Sequence, residues 1–589
     1  MKRLYIIAGI ALTLPVIAGA QSQSKDSTLN RTVVVEQEYN PTISDAIKVN
    51  AVPQVAQPVA GRQEVRYDAT AQPFANVPAN RMPIYTLPEE QKRIRLGYVR
   101  LGYGNEGNLD MAAALNWLSP DTDDRLTANF LLNGMNGNLK LNDSNLEQAF
   151  GRNSWGAYRY HTHVDADYTH FFPQMELVAG ANYDLRNFNY LSYPQAAHNR
   201  FMSNNFHLGV RSSTENPAVG YHARISFAYY ERSPSPEGLI EQVYYDNLHE
   251  YNWHFNGGIS TRISQTQRAG IDVDAHLINT SLDNGQIVDA NPYYQFKNRV
   301  WNVRAGVHIG YTTGTGNTFS FAPDVLIEYG VSKGYRVYLQ AKGGRTLNDF
   351  RRLEQLSPYS NIPVNEEYRM PGYSYEQVNA AIGFKGTPTD GLWFNLYAGT
   401  QQWYQDMLLQ QELTPIFNYD ISSQPTTPSG YVSQTLFKQA NTRNLYVGGE
   451  LRYTFKELFT LTANAVYRHW KLTGKSDTTE ERSYLLSYKP LLEMDLRAEV
   501  RPIPALRLYA GYRYVSRNNT VSQIDGYDHL SWGTDYNPTE NLYVGGDYRV
   551  TDAWSVYARF DNLLNKHYFD YPGYPAQAFN LLGGVRFCF

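Results

Sequence analysis

The stretch RYHTHVDADYTH carries His161, His163, Asp165 and Asp167 at every second position. On a β-strand that spacing puts all four on one face. Imidazole and carboxylate donors together suit a transition metal. The same residues also make an ordinary hydrated wall, and no third ligand is fixed nearby in the sequence. The expectation is therefore a wall with no bound metal and no cofactor. Other chemical strings fail on context. Gly102-x-Gly104-x-x-Gly107 matches a dinucleotide fingerprint only as letters, because it joins two strands and no helix follows. Gly474-Lys475-Ser476 ends like a phosphate-binding loop, but His469 stands where its first glycine belongs. No Gly-x-Ser-x-Gly elbow is present. No enzymatic activity is expected, and a net charge of -4 gives no nucleic-acid footprint.

Composition narrows the class of protein that must position these residues. The 589 residues include 48 Tyr, 44 Gly and 9 Trp against a single cysteine, Cys588, so no intramolecular disulfide can form. Mean hydropathy is -0.49. Residues 1–20 read as a secretory signal peptide: Lys2 and Arg3, an apolar run, then Ala18-Gly19-Ala20. No cysteine follows that cleavage site, so lipoprotein anchoring is not expected. Beyond it no apolar run approaches the roughly 18 residues of a membrane helix.

From Arg93 onward, alternation recurs. In NLDMAAALNWL, Leu109, Met111, Ala113, Leu115 and Trp117 oppose Asn108, Asp110 and Asn116. In WNVRAGVHI, Trp301, Val303, Ala305, Val307 and Ile309 oppose Asn302, Arg304 and His308. Such segments run about 10 to 14 residues, as tilted membrane strands do. Short turns such as FPQM and RPIPA take turns with longer loops at 137–156, 231–249, 347–373, 404–440 and 516–536. Apolar-out, polar-in alternation with short turns at one end and long loops at the other predicts an all-β, antiparallel transmembrane barrel of about 22 strands. An open edge would leave unpaired backbone groups in hydrocarbon, so the sheet must close. Tyrosines in the loops, among them Tyr190, Tyr193, Tyr244, Tyr245, Tyr359, Tyr373 and Tyr571, read mainly as an interfacial girdle, with stacking on a ligand as the other use.

The segment WSVYARFDNLLNKHYFDYPGYPAQAF and a final strand ending at Phe589 resemble the C-terminus of TonB-dependent receptors. RIRLGYVRLGYG is similar to a first barrel strand in Bacteroidetes members of that family. The resemblance implies an integral outer-membrane barrel over 93–589 in a Gram-negative cell, with outer-membrane lipid around it. It also implies that Val585, Phe587 and Phe589 form the signal read by the barrel assembly machinery. Near the front, Thr32-Val33-Val34-Val35-Glu36 resembles a TonB box, a β-branched segment suited to strand addition; a short strand or a clamp on the barrel rim fits the same residues.

Between Glu36 and the first strand stand Pro41, Pro53, Pro58, Pro73, Pro78, Pro83 and Pro88, spaced too closely for a helix or a central strand to run far. A full plug domain is not expected there. Residues 21–92 read as an extended periplasmic or lumenal segment; without a plug, either the barrel is open or it is obstructed by 37–92, by the loops or by a partner protein. Two functions compete. One is passage of a solute across the outer membrane with TonB as partner. The other is a plugless barrel serving as a structural or assembly subunit beside other outer-membrane proteins or lipoproteins.

Overall fold

The computed structural model describes residues 95–119, 122–192, 198–212, 218–233, 248–281, 284–313, 319–360, 372–416, 430–473, 486–517 and 537–589. The expected signal peptide, the segment 32–36 and the proline-rich stretch therefore lie outside the described residues, as do Tyr193, Tyr244 and Tyr245. Twenty-two strands form one antiparallel sheet in which each strand pairs with its neighbours in the chain. The last strand, Asn580–Cys588, pairs with the first, Gly97–Gly104, from Tyr98 opposite Cys588 to Gly104 opposite Leu582. The sheet is a closed barrel with no free edge, as the alternation requires.

The two faces of the wall differ as expected. On the first strand Val99, Leu101 and Tyr103 are exposed, and Arg100 between them reaches Asp110 at 2.9 Å. On the last, Leu581 and Val585 are exposed, as is Phe589 just beyond it, while Leu582 and Cys588 face inward and are buried. Phe587 and Phe589 stack with ring centroids 6.1 Å apart, and Phe587 meets Trp554 at 4.9 Å. An outward face this rich in apolar side chains is a surface for hydrocarbon rather than water. Inward, ion pairs lace the wall: Arg304 with Asp324 at 2.6 Å and Arg507 with Asp547 at 2.8 Å are two of them.

The seam between first and last strands depends on a glycine. A Cβ at Gly102 would lie 2.2 Å from the Tyr557 hydroxyl and 2.9 Å from the nearest Leu582 methyl carbon. That hydroxyl donates to Asp110 at 2.9 Å. Gly102→Ala is expected to push Tyr557 off Asp110, costing about 1–3 kcal/mol for the buried group left unpaired. The check is the temperature at which the compact gel band of the folded barrel is lost; an unchanged temperature would contradict this packing.

One expected long loop is sheet over much of its length. Residues 404–416 and 430–440 continue the sheet, because Leu392–Ile416 and Gly430–Phe455, 25 and 26 residues long, stay paired out to Ile416 opposite Gly430. A register shift between Trp403 and Asp406, with Gln405 at φ 55°, marks where this hairpin leaves the barrel wall. Its sequence hides it: Met407, Leu408 and Leu409 are consecutive and all buried. A segment buried on both faces has no reason to alternate.

Candidate functional site

At the loop end of the barrel the connections pack into a dry core instead of standing free. A short helix, Ser144–Phe150, contributes Leu146 and Phe150. A second, Phe350–Leu356, starts at Asp349, whose carboxylate accepts from the Arg352 N–H at 2.9 Å. It buries Phe350, Leu353 and Glu354 on one side. Phe350 and Leu353 join Trp155, Phe188, Tyr190, Leu191, Tyr359, Leu413, Val432 and Tyr574 in one cluster. Tyr359 and Tyr574 stack at 3.5 Å, and Trp155 sets its edge against both. Of the tyrosines read as a girdle or a ligand platform, Tyr190, Tyr359 and Tyr373 are buried, and Tyr571 packs against the same core. The girdle reading fails for Tyr190, Tyr359 and Tyr571 because they pack in the core over the mouth, and for Tyr373 because it begins the strand Tyr373–Thr389 and is buried.

This core spans the mouth. Ser192 follows Met175–Asn189, the fifth strand of the ring, and forms a β-bridge with Val432 of the sixteenth, Gly430–Phe455. In a ring of 22, sixteen minus five is eleven, half the circumference, so the two strands are diametrically opposite. The Ser433 N–H donates to Leu191 O at 3.0 Å, and the Thr435 N–H donates to Tyr359 O at 2.9 Å. The Tyr574 hydroxyl donates to Ser433 O, so four connections meet at one place.

A buried ion pair fixes the arrangement. Arg232, at the end of Val219–Arg232, donates to Glu354 Oε1 at 2.7 Å, to Ser360 O at 2.9 Å and to the Tyr190 hydroxyl. Glu354 also accepts from the Tyr230 hydroxyl at 2.8 Å. Burial pushes the Glu354 carboxyl above its ordinary range, and the Arg232 charge pulls back part of that shift. Nearby, Arg159 binds Asp570 at 3.0 Å. Between cap and wall lies a recess of about 160 Å³ lined by Asp110, Arg159, His161, Arg186, Tyr359 and Asp570 among others.

Below the cap, histidines and carboxylates line one half of the wall. His161 and His163, from Ser154–Phe171, both contact Asp184 Oδ1 on the next strand, at 2.9 and 3.0 Å. His163 also reaches Asp165 at 3.1 Å, while Asp167 pairs with His207 at 2.9 Å. The four residues flagged by their spacing thus share the inner face as expected, but they divide among different partners. Val164 and Tyr168, between and beside them, are exposed on the outer face. The pattern continues with His254 and His276 on Asp274 and His308 on Asp289. The spacing did not single these out, because each of their strands carries one histidine on its inner face; one inward histidine on strand after strand, as His308 in WNVRAGVHI, was the available signal.

No family model matches the sequence, and no curated protein matches it. Solved structures do. The ferric enterobactin receptor of Pseudomonas aeruginosa is similar at 11% identity and a TM-score of 0.59, over 84% of this chain and 80% of the receptor. The ferripyoverdine receptor of the outer membrane of Pseudomonas aeruginosa is similar at 12% identity and 0.58, over 85% and 72%. The copper transporter OprC is similar at 11% identity and 0.59, over 84% and 80%. At these identities the likeness establishes the fold: the receptor-like barrel of 22 strands.

Proposed function

We propose that this chain is an integral outer-membrane barrel that passes a solute into the periplasm, with the packed cap as its outer gate. The observation that carries the reading is the contrast between a charged wall, which holds water, and a dry core joining opposite sides of the mouth. A scaffold has little use for both. The barrel fold shared with outer-membrane receptors and a copper transporter supports the same reading, as does the resemblance of Thr32, Val33, Val34, Val35 and Glu36 to a TonB box. TonB is then the periplasmic partner that supplies work for opening, and barrel assembly proteins are the partners during insertion.

The bridge between Ser192 and Val432 supplies the test. Antiparallel bridge partners have Cα atoms about 4.5–5.5 Å apart, within reach of a disulfide. The native Cys588 is buried and does not compete. A deletion strain identifies a solute whose uptake fails. In the Ser192→Cys/Val432→Cys variant, uptake of that solute is expected to be lost when the pair is oxidised and restored by reductant. Equal uptake in both states, with cross-linking complete, would overturn the gate. A deletion strain with normal uptake of every solute, and a barrel isolated in fixed ratio with envelope-assembly proteins, would favour the structural-subunit reading instead.

The cap also changes the expectation for residues 37–92. With closure placed in the described loops, removing 37–92 alone is expected to leave conductance in a planar bilayer low. Large steps appearing on that deletion would put the closure in that segment.

A further inference from the structure

The histidine-lined wall contains one place where two imidazoles converge on a single carboxylate. His254 of Leu248–Arg262 and His276 of Gln267–Thr280 are directly opposite in register. Their rings are parallel within 3° and 4.0 Å apart. Each aims Nε2 at Asp274, His254 at Oδ2 from 2.7 Å and His276 at Oδ1 from 3.2 Å. The three donor atoms lie within 4.8 Å of one another, and among the described residues this is the grouping of histidine and carboxylate donors that does so. His161 and His163 also share a carboxylate, but their rings are 6.3 Å apart and tilted by 46°.

Donor placement argues for a cation at the centre. Two imidazole Nε2 atoms and one carboxylate converge at one point of the inner face, a donor set that suits a divalent transition-metal ion. His276 Nδ1 lies 3.2 Å from Asn252 Oδ1, a contact that holds the ring with its Nε2 toward Asp274. The surroundings match those of a metal ligand: Asn252 fixes one ring, and the Asn256 amide donates to Asp274 Oδ2 at 3.1 Å.

We propose that His254, Asp274 and His276 form a lumenal site for a divalent transition-metal ion, with Zn²⁺ and Cu²⁺ the ions best suited to two imidazoles and a carboxylate. The site does not depend on the transport reading, because a structural barrel could hold the ion as well.

The test uses the full-length protein in detergent, stripped with chelator and titrated with Zn²⁺ against a chromogenic competitor at pH 7.5. One tight equivalent is expected. Cu²⁺ in its place should show nitrogen hyperfine coupling in its electron paramagnetic resonance spectrum. His254→Ala/His276→Ala should lose the equivalent, and Asn252→Ala should weaken it about 10-fold or more. His163→Ala should leave it intact. His276→Gln, closer in size, replaces the double variant if that protein lacks the compact folded gel band. No tight equivalent in the native protein, an unchanged one in a folded His276→Gln or double variant, or equal loss in His163→Ala would each overturn the site.

Discussion

Arg232→Leu is expected to turn a nearly silent barrel into a conducting one. The substitution leaves Glu354 buried at the centre of the cap with its charge unpaired, and it takes the guanidinium hydrogen bonds from the Ser360 carbonyl and the Tyr190 hydroxyl. Removing one partner of a buried pair costs about 3–5 kcal/mol. That penalty falls on the cap and not on the wall, since Arg232 ends its strand and its partners belong to the connections. The open fraction should rise by about 100-fold or more, at roughly 1.4 kcal/mol per tenfold. Single-channel recording in a planar bilayer reads it. The gel band of the folded barrel should persist. Replacing Glu354 by leucine as well removes the stranded charge and should recover part of the closure. Folded Arg232→Leu protein with native conductance would show that the pair does not hold the cap.

The second large effect concerns assembly. Phe589→Asp is expected to lower the amount of inserted barrel severalfold while leaving the behaviour of each inserted molecule unchanged. The Phe589 ring is exposed on the outer face and stacks on Phe587, and its backbone exchanges hydrogen bonds with Gly97 at 3.1 and 3.2 Å. Aspartate keeps the backbone bonds and removes the aromatic surface, so the variant separates recognition by the insertion machinery from closure of the seam. Equal amounts of native and variant protein in outer-membrane fractions would refute the reading of Val585, Phe587 and Phe589 as an assembly signal.

The wall was legible in the sequence because a lipid-facing strand must alternate. Leu445, Val447 and Leu451 are exposed while Asn444 beside Leu445 is buried, as their spacing required. Closure followed from the cost of an open edge, and the ring holds the 22 strands expected. The cap was not legible. Its residues are buried on more than one side, so they carry no period. Their partners are also remote in sequence: Arg232 meets Ser360 across 128 residues. The wall chemistry was half legible. RYHTHVDADYTH showed itself because four polar groups repeat within one strand. His254 and His276 stand one to a strand, and only the register between strands brings them together.

The seam of the barrel has a consequence for how the chain reaches this state. Gly97 and Phe589 exchange backbone hydrogen bonds although 589 minus 97, or 492, positions separate them. No local event can form that contact, and closing so long a loop slows the step that completes the ring. Until the final strand is synthesised and docked, two strand edges and many outward apolar side chains stand open. Such a half-built sheet is a template for aggregation. The protein is therefore expected to spend its transit bound to holding chaperones, and its yield should follow their supply more closely than its own final stability. Moving the chain ends to a turn such as 333–334 would join the present seam covalently and make a different pair of strands the last to meet.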